Sequence, residues 1–181
     1  MDRVQLAEQY SRGQRRFSGL DLKEQTLSSM VLSDVQFDYA DLAHSNLSIS
    51  QLHRTSFKGA MLWRTRLDGA DLKQANLQQA LLIRGSLVNA NLQAARLEGC
   101  DLRLANLQQT NLLSASLQGA NLSYANLTAA SLRGADLTGA DLTGAILTGT
   151  DFTGAQLTAT IWPRGFTVPS ATLHRERLLP I

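Results

Sequence analysis

Metal binding, proton transfer or covalent catalysis would have to come from few side chains: His44, His53 and His174, Cys100, and aspartates at 41, 71, 101, 136, 141 and 151. None of the histidines has a cysteine or carboxylate at metal-ligand spacing, so no metal site is assigned. The aspartates are separated by multiples of five and hold one recurring slot, where an Asp or Asn side chain bonds nearby backbone and supports a turn. Such regular placement fits neither a catalytic carboxylate pair nor a calcium loop. The signatures G-x-S-x-G, H-E-x-x-H and G-x-x-x-x-G-K-[ST] do not occur, and the glycines follow the five-residue rhythm rather than a phosphate loop. Cys100 has no disulfide partner within the chain and stands at a small inward slot, where a thiol behaves as a small hydrophobe. No catalytic residue and no cofactor are assigned, and the expectation is a protein that is not an enzyme.

One rhythm sets the elements that carry these residues. Every fifth residue from Phe17 to Leu157 is leucine or phenylalanine, 29 positions without a gap, 25 of them Leu and the others Phe17, Phe37, Phe57 and Phe152. A small residue, mostly Ala, stands two before most of these centres, and Gly recurs two after them. Residues five apart drift around an α-helix, whereas residues two apart share one face of an extended chain. An extended chain that turns once per unit keeps every centre inward, and four such turns close a square. Each unit can bury its apolar pair only against its neighbours, so the body is a repeat array. Composition agrees: 44% of residues are apolar but only 6% are aromatic, which describes a narrow tube of core. A core two residues wide leaves no pocket for a small-molecule substrate.

The units resemble the pentapeptide-repeat family, whose motif stands here as Ala-Asp-Leu-Thr-Gly at 135–139 and 140–144 and as Ala-Asn-Leu-Ser-Tyr at 120–124. The resemblance implies an all-β fold, a right-handed quadrilateral β-helix of about seven coils with four pentads each, over residues 15–159. The segment Thr160-Ile161-Trp162-Pro163-Arg164-Gly165-Phe166 also resembles an ending common in cyanobacterial members, with Arg164 where an acid is expected. Some members of the family mimic duplex DNA and bind type II topoisomerases, protecting them from quinolones.

Both ends of such a tube need caps. For residues 1–14 the reading is a short helix with Asp2 as N-cap, Val4, Ala7 and Tyr10 at helical spacing, and Gly13 as the stop. Residues 160–181 form the second cap, with Trp162, Phe166 and Val168 over the last coil and Pro163 and Pro169 barring further strand pairing. A short helix is expected over 170–179. The apolar end Leu178-Leu179-Pro180-Ile181 offers a homodimer contact. With no apolar leader at Met1–Tyr10 and no apolar run approaching a membrane span, the chain is expected to be soluble and cytoplasmic, without membrane contact.

A 20-residue coil also sorts the outward residues. Met61, Trp63, Leu81, Ile83 and Leu104 fall together on one side, edged by Arg64, Arg84 and Arg103, while the other sides are mainly Ser, Gln, Asn, Thr, Asp and Gly. Apolar groups beside Trp and Arg are the material of protein contact sites. In the same column, His44 is expected between Glu24 and Arg64 in a solvated ladder. The function expected from these residues is therefore a rigid interaction module or regulatory scaffold that offers one face to a protein partner. The alternative is a DNA mimic that binds topoisomerase. It is disfavoured because residues 17–159 carry ten positive and twelve negative charges, only −2 net, without dense acidic columns. Three arginines beside apolar groups are weak support for direct nucleic-acid binding, and the net negative array argues against nucleic acid as a partner.

Overall fold

The computed structural model describes residues 1–167. Val168, Pro169, His174, the helix expected over 170–179 and the apolar dimer contact at Leu178–Ile181 lie outside the described residues.

Each pentad is one turn. In 26 of the 29 units the N–H three residues after a centre donates to that centre's carbonyl, as Ala40 does to Phe37 at 3.0 Å. The second residue after the centre has positive φ in all 29 units, in nineteen of them without glycine. This is the sign pattern of a type II turn. Glycine is therefore the least strained residue at this corner but not a required one.

The residue before each centre pairs in parallel with the residue 20 positions on, in 26 successive pairings from Arg16↔Gln36 to Asp141↔Ile161. A turn every five residues and a pairing offset of 20 make four sides per coil, and the register never slips. Each pairing is a ladder of backbone bonds: Leu62 N donates to Leu81 O at 2.9 Å, and Leu81 N to Ala60 O at 3.0 Å.

The centres fill the tube and are buried from Phe17 to Phe152. Phe17, Phe37 and Phe57 stack in one column, with centroid separations of 5.8 and 5.5 Å. Where the small inward slot holds a hydroxyl, a carbonyl one coil below accepts from it: Thr65 Oγ1 donates to Leu42 O at 2.8 Å, and Thr55 and Thr110 do the same to Leu32 and Leu87. Ser45 is the contrast, fully buried with no partner for Oγ. Outside, the Asp or Asn before the centre accepts from the N–H two residues on, in fourteen units. This is the turn-supporting bond expected of that slot.

Helix α1 (Arg3–Ser11) lies at the N-terminal end, closed by a capping box in which Asp2 accepts from Gln5 N at 2.9 Å and Asp2 N donates back to Gln5 Oε1. Its inward face is not the one expected. Val4 is 74% exposed and Ala7 is exposed, while Leu6 is fully buried and Tyr10 partly so. Leu6 is long enough to fill the open end of the tube. Arg3 and Tyr10, on the same stripe, donate to the carbonyls of Thr26 and Ser33. At the other end Trp162 and Phe166 stack 5.2 Å apart over Phe152.

Candidate functional site

The residues singled out by period fall on the side of the rod centred on Leu42, Leu62, Leu82 and Leu102. Met61 and Leu81 pair directly across adjacent coils. Met61, Trp63 and Leu81 are 43%, 42% and 42% exposed and Leu104 is also exposed, whereas Ile83 is half-buried between its neighbours.

Two turns on this side lack the side-chain cap that fourteen units have, as do eleven turns elsewhere among the described residues. Asp41 and Asp101 in the same column cap the N–H groups of Ala43 and Arg103 at 3.1 and 3.2 Å. Met61 and Leu81 have no acceptor to offer, and among the described residues no side chain caps the N–H of Trp63 or Ile83.

The three arginines differ. Arg64 lies over the Trp63 ring, 4.9 Å from its centroid, a cation–π contact. Arg84 has no carboxylate within 4 Å among the described residues. Arg103 is held in a paired fork on Asp101, the residue that pairs with Leu81, with Nη2 2.7 Å from Oδ2. The charge of Arg103 is thus neutralised within its own turn and does not serve the apolar cluster as expected. His44 differs from expectation too. Instead of joining a charge ladder with Glu24, it packs edge-on against Trp63, 4.7 Å between centroids. A residue at the corner of one coil reaches the flat of the next, which column-by-column reading misses.

Elsewhere the polar side chains serve the rod. His53 Nε2 lies 2.5 Å from Asp71 Oδ2. The two are 18 residues apart, the offset that joins the outward slot after one centre to the slot before the centre one coil up. The same offset joins Asp38 to Ser56, Asp68 to Ser86, Gln118 to Asp136 and Ser123 to Asp141. Sequence reading missed these pairs, and a search at offset 18 would have found them. Asp68 also caps Val88 N at 3.1 Å. Burial pushes the Cys100 thiol far above its ordinary range, leaving no thiolate nucleophile. Among the described residues no group of three or more His, Cys, Asp or Glu could hold a metal ion.

A model of the family described as pentapeptide repeats, in eight copies, matches residues 50–84, 86–123 and 125–161. The chain belongs to the pentapeptide-repeat family. Among solved structures it is similar to HetL, a pentapeptide-repeat protein involved in heterocyst differentiation regulation from the cyanobacterium Nostoc sp. strain PCC 7120. The two are 29% identical over 88% of this chain and 98% of that one, with a TM-score of 0.28. It is similar also to Rfr23 from the cyanobacterium Cyanothece 51142, 23% identical over 88% and 99% of the two chains, with a TM-score of 0.37. A third similar structure is full-length QnrB1, a plasmid-mediated fluoroquinolone resistance protein, 17% identical over 82% and 84%, with a TM-score of 0.42. No curated protein matches the chain.

Proposed function

We propose that this pentapeptide-repeat protein is a non-enzymatic, cytoplasmic interaction module or regulatory scaffold. Its right-handed quadrilateral β-helix, residues 15–159 between two caps, serves as a rigid rod that offers the Met61–Leu104 side to a protein partner. The observation that supports this most is the pair Met61 and Leu81. In two adjacent coils Met61 and Leu81 pair as exposed apolar side chains in the slot that holds a capping Asp or Asn in fourteen units, with Trp63 and Arg64 beside them. Exposed apolar residues with Trp and Arg at their centre are the composition of contact sites. The DNA-mimic reading is weaker. Many of the acidic side chains that would stand for phosphates are neutralised nearby, Asp34 by Arg54, Asp68 by Arg66 and Asp101 by Arg103. The test is Trp63 fluorescence after Trp162→Phe removes the other indole. Trp63 should be open to acrylamide in the verified monomer and shielded once a partner is bound; a Trp63 already shielded in the monomer sinks the proposal.

A further inference from the structure

Resting on the reading of this side as a contact site, we infer that its occupant is a short acidic protein segment that also carries an aliphatic or aromatic side chain. Charge points first. Arg54, Arg66, Arg96, Arg103 and Arg133, on the outside of the array, each lie 2.7 to 3.9 Å from a carboxylate oxygen. Arg16, Lys58, Lys73, Arg64 and Arg84 have no carboxylate in range among the described residues, but Arg64 and Arg84 stand one coil apart in one column while the other three are isolated, in an array that as a whole is net negative. Like charges at a strand spacing of about 4.8 Å repel, and an anion set against both relieves that repulsion. Trp63 holds the Arg64 guanidinium against its ring, 4.9 Å from the centroid. Less side-chain freedom is then lost when a carboxylate docks.

The size of the surface decides between a segment and a domain. Met61 to Leu104 spans three coils, about 15 Å along the rod, so a strip of similar width covers on the order of 200 Å², far less than the roughly 800 Å² per partner of a standard interface. Its borders are closed by charges already satisfied, the Asp101–Arg103 fork above and Lys23, 3.5 Å from Asp41, below. A second copy of the chain is the wrong occupant, because two such faces meeting about a twofold axis at their centre bring arginines against arginines. A nucleic-acid strand would run on past both borders, where Lys23 and Arg103 are already paired with Asp41 and Asp101 and leave no free cation for its further phosphates.

Selection from a displayed library of random 12-residue peptides tests this, using the folded wild-type chain, Trp63→Ala, and Arg64→Glu/Arg84→Glu. Both variants alter exposed side chains, and a cooperative thermal melt checks that each is folded. Wild type is expected to select peptides rich in Asp and Glu beside Leu, Phe or Trp. The best of them, fluorescein-labelled, should lose about tenfold in affinity when its acids become amides, and the double-Glu chain should select basic peptides instead. A selection that depends on Trp63 but shows no acidic preference overturns the inference and leaves the contact site standing. Failure to select any peptide, or the same peptides from Trp63→Ala, removes both. Arg64-dependent binding of a labelled 20-nucleotide DNA strand, or a dimer by light scattering that Trp63→Ala abolishes, assigns the face to another occupant and also overturns the inference.

Discussion

Replacing Met61 and Leu81 together by asparagine should leave the rod as stable as wild type or slightly more stable, while destroying the contact face. Two opposing effects set the size of the change. Each asparagine restores an acceptor for the N–H two residues on, of Trp63 or Ile83, as Asp41 and Asp101 already do for Ala43 and Arg103. Stacked amides in this slot also bond along the rod: Asn91 Nδ2 donates to Asp71 Oδ1 and Asn111 Nδ2 to Asn91 Oδ1, each at 3.1 Å. The two introduced amides, between Asp41 and Asp101, would extend such a ladder. Two caps and one or two ladder bonds contribute about 2–3 kcal/mol at roughly 0.75 kcal/mol net each. Against this, Met61 and Leu81 are a little over half buried. Removing that contact costs about 1 kcal/mol per side chain, part of the roughly 1.5–3 kcal/mol for full burial.

The expected net for the double variant is a gain of about 1 kcal/mol, or a melting point higher by roughly 2–4 °C for a chain of this length. Calorimetry paired with circular dichroism is the assay, because a repeat array can lose two-state behaviour and only coincident transitions license a free energy. Loss of about 2 kcal/mol would refute the reasoning, since the two side chains would then be packing elements of the rod rather than residues kept for a partner at the expense of a backbone cap. Trp63 should also cease to be protected by a partner in the double variant, a trade of function for stability.

Leu97, fully buried in mid-array, should not tolerate Leu97→Asp, which leaves a cavity and an unpaired carboxylate and costs about 4 kcal/mol or more; Gln93→Ser, one turn earlier on the outside, should melt within about 0.5 kcal/mol of wild type. Thr65 and Ser45, stacked in one inward column, should respond with opposite signs in urea titrations. Thr65→Val gives up the 2.8 Å bond to Leu42 O and costs about 1 kcal/mol, whereas Ser45→Ala removes an unpartnered buried hydroxyl and stabilises by a similar amount; equal losses would contradict the assignment. Arg54 holds the Asp34 carboxyl below its ordinary range, and bonds from Thr143 and Thr153 do the same for Asp141 and Asp151. A folded-state pKa below the unfolded one gives stability that is present above the unfolded value, near 4, and lost as pH falls through the folded value, so melting points should hold above about pH 5 and fall below about pH 4. Asp141→Asn/Asp151→Asn, which keeps an acceptor in the slot, should flatten that fall, and an unchanged acid slope would contradict it.

The coil was legible because its determinants repeat. Leu and Phe at every fifth position fixed the inward face, and Asp or Asn before them fixed the turn, so the pairing offset of 20 followed from four turns closing a square. What the repeat does not constrain was harder to read. The helical face of Arg3–Ser11 was misassigned because Val4, Ala7 and Tyr10 and the stripe through Leu6 and Tyr10 share the same spacing, and only the shape of the tube's mouth selects Leu6. Arg103 and His44 were placed in the right coil but with the wrong neighbours. A side chain long enough to leave its column answers to the nearest partner, Asp101 for one and Trp63 for the other.

Most outward positions of such a rod carry no information about function, since neither core nor ladder depends on them. The slot before each centre is different, because the fold itself uses it. Where that slot holds Asp or Asn the turn explains it, and where it holds Ser56 or Ser86 an acid one coil below, Asp38 or Asp68, supplies the missing acceptor for Lys58 or Val88. At these two positions substitution is accompanied by compensation on the rod's own terms, whereas at eleven others outside the patch, Val31 and Ile146 among them, no side chain caps the turn among the described residues. Met61 and Leu81 have no such compensation: Asp41 below them caps its own turn, and Trp63 and Ile83 stand where a compensating acid would be. What sets Met61 and Leu81 apart from the other uncapped turns is that they are exposed apolar residues paired in adjacent coils, each beside an arginine with no ion-pair partner among the described residues, and that juxtaposition is the feature a binding partner would explain.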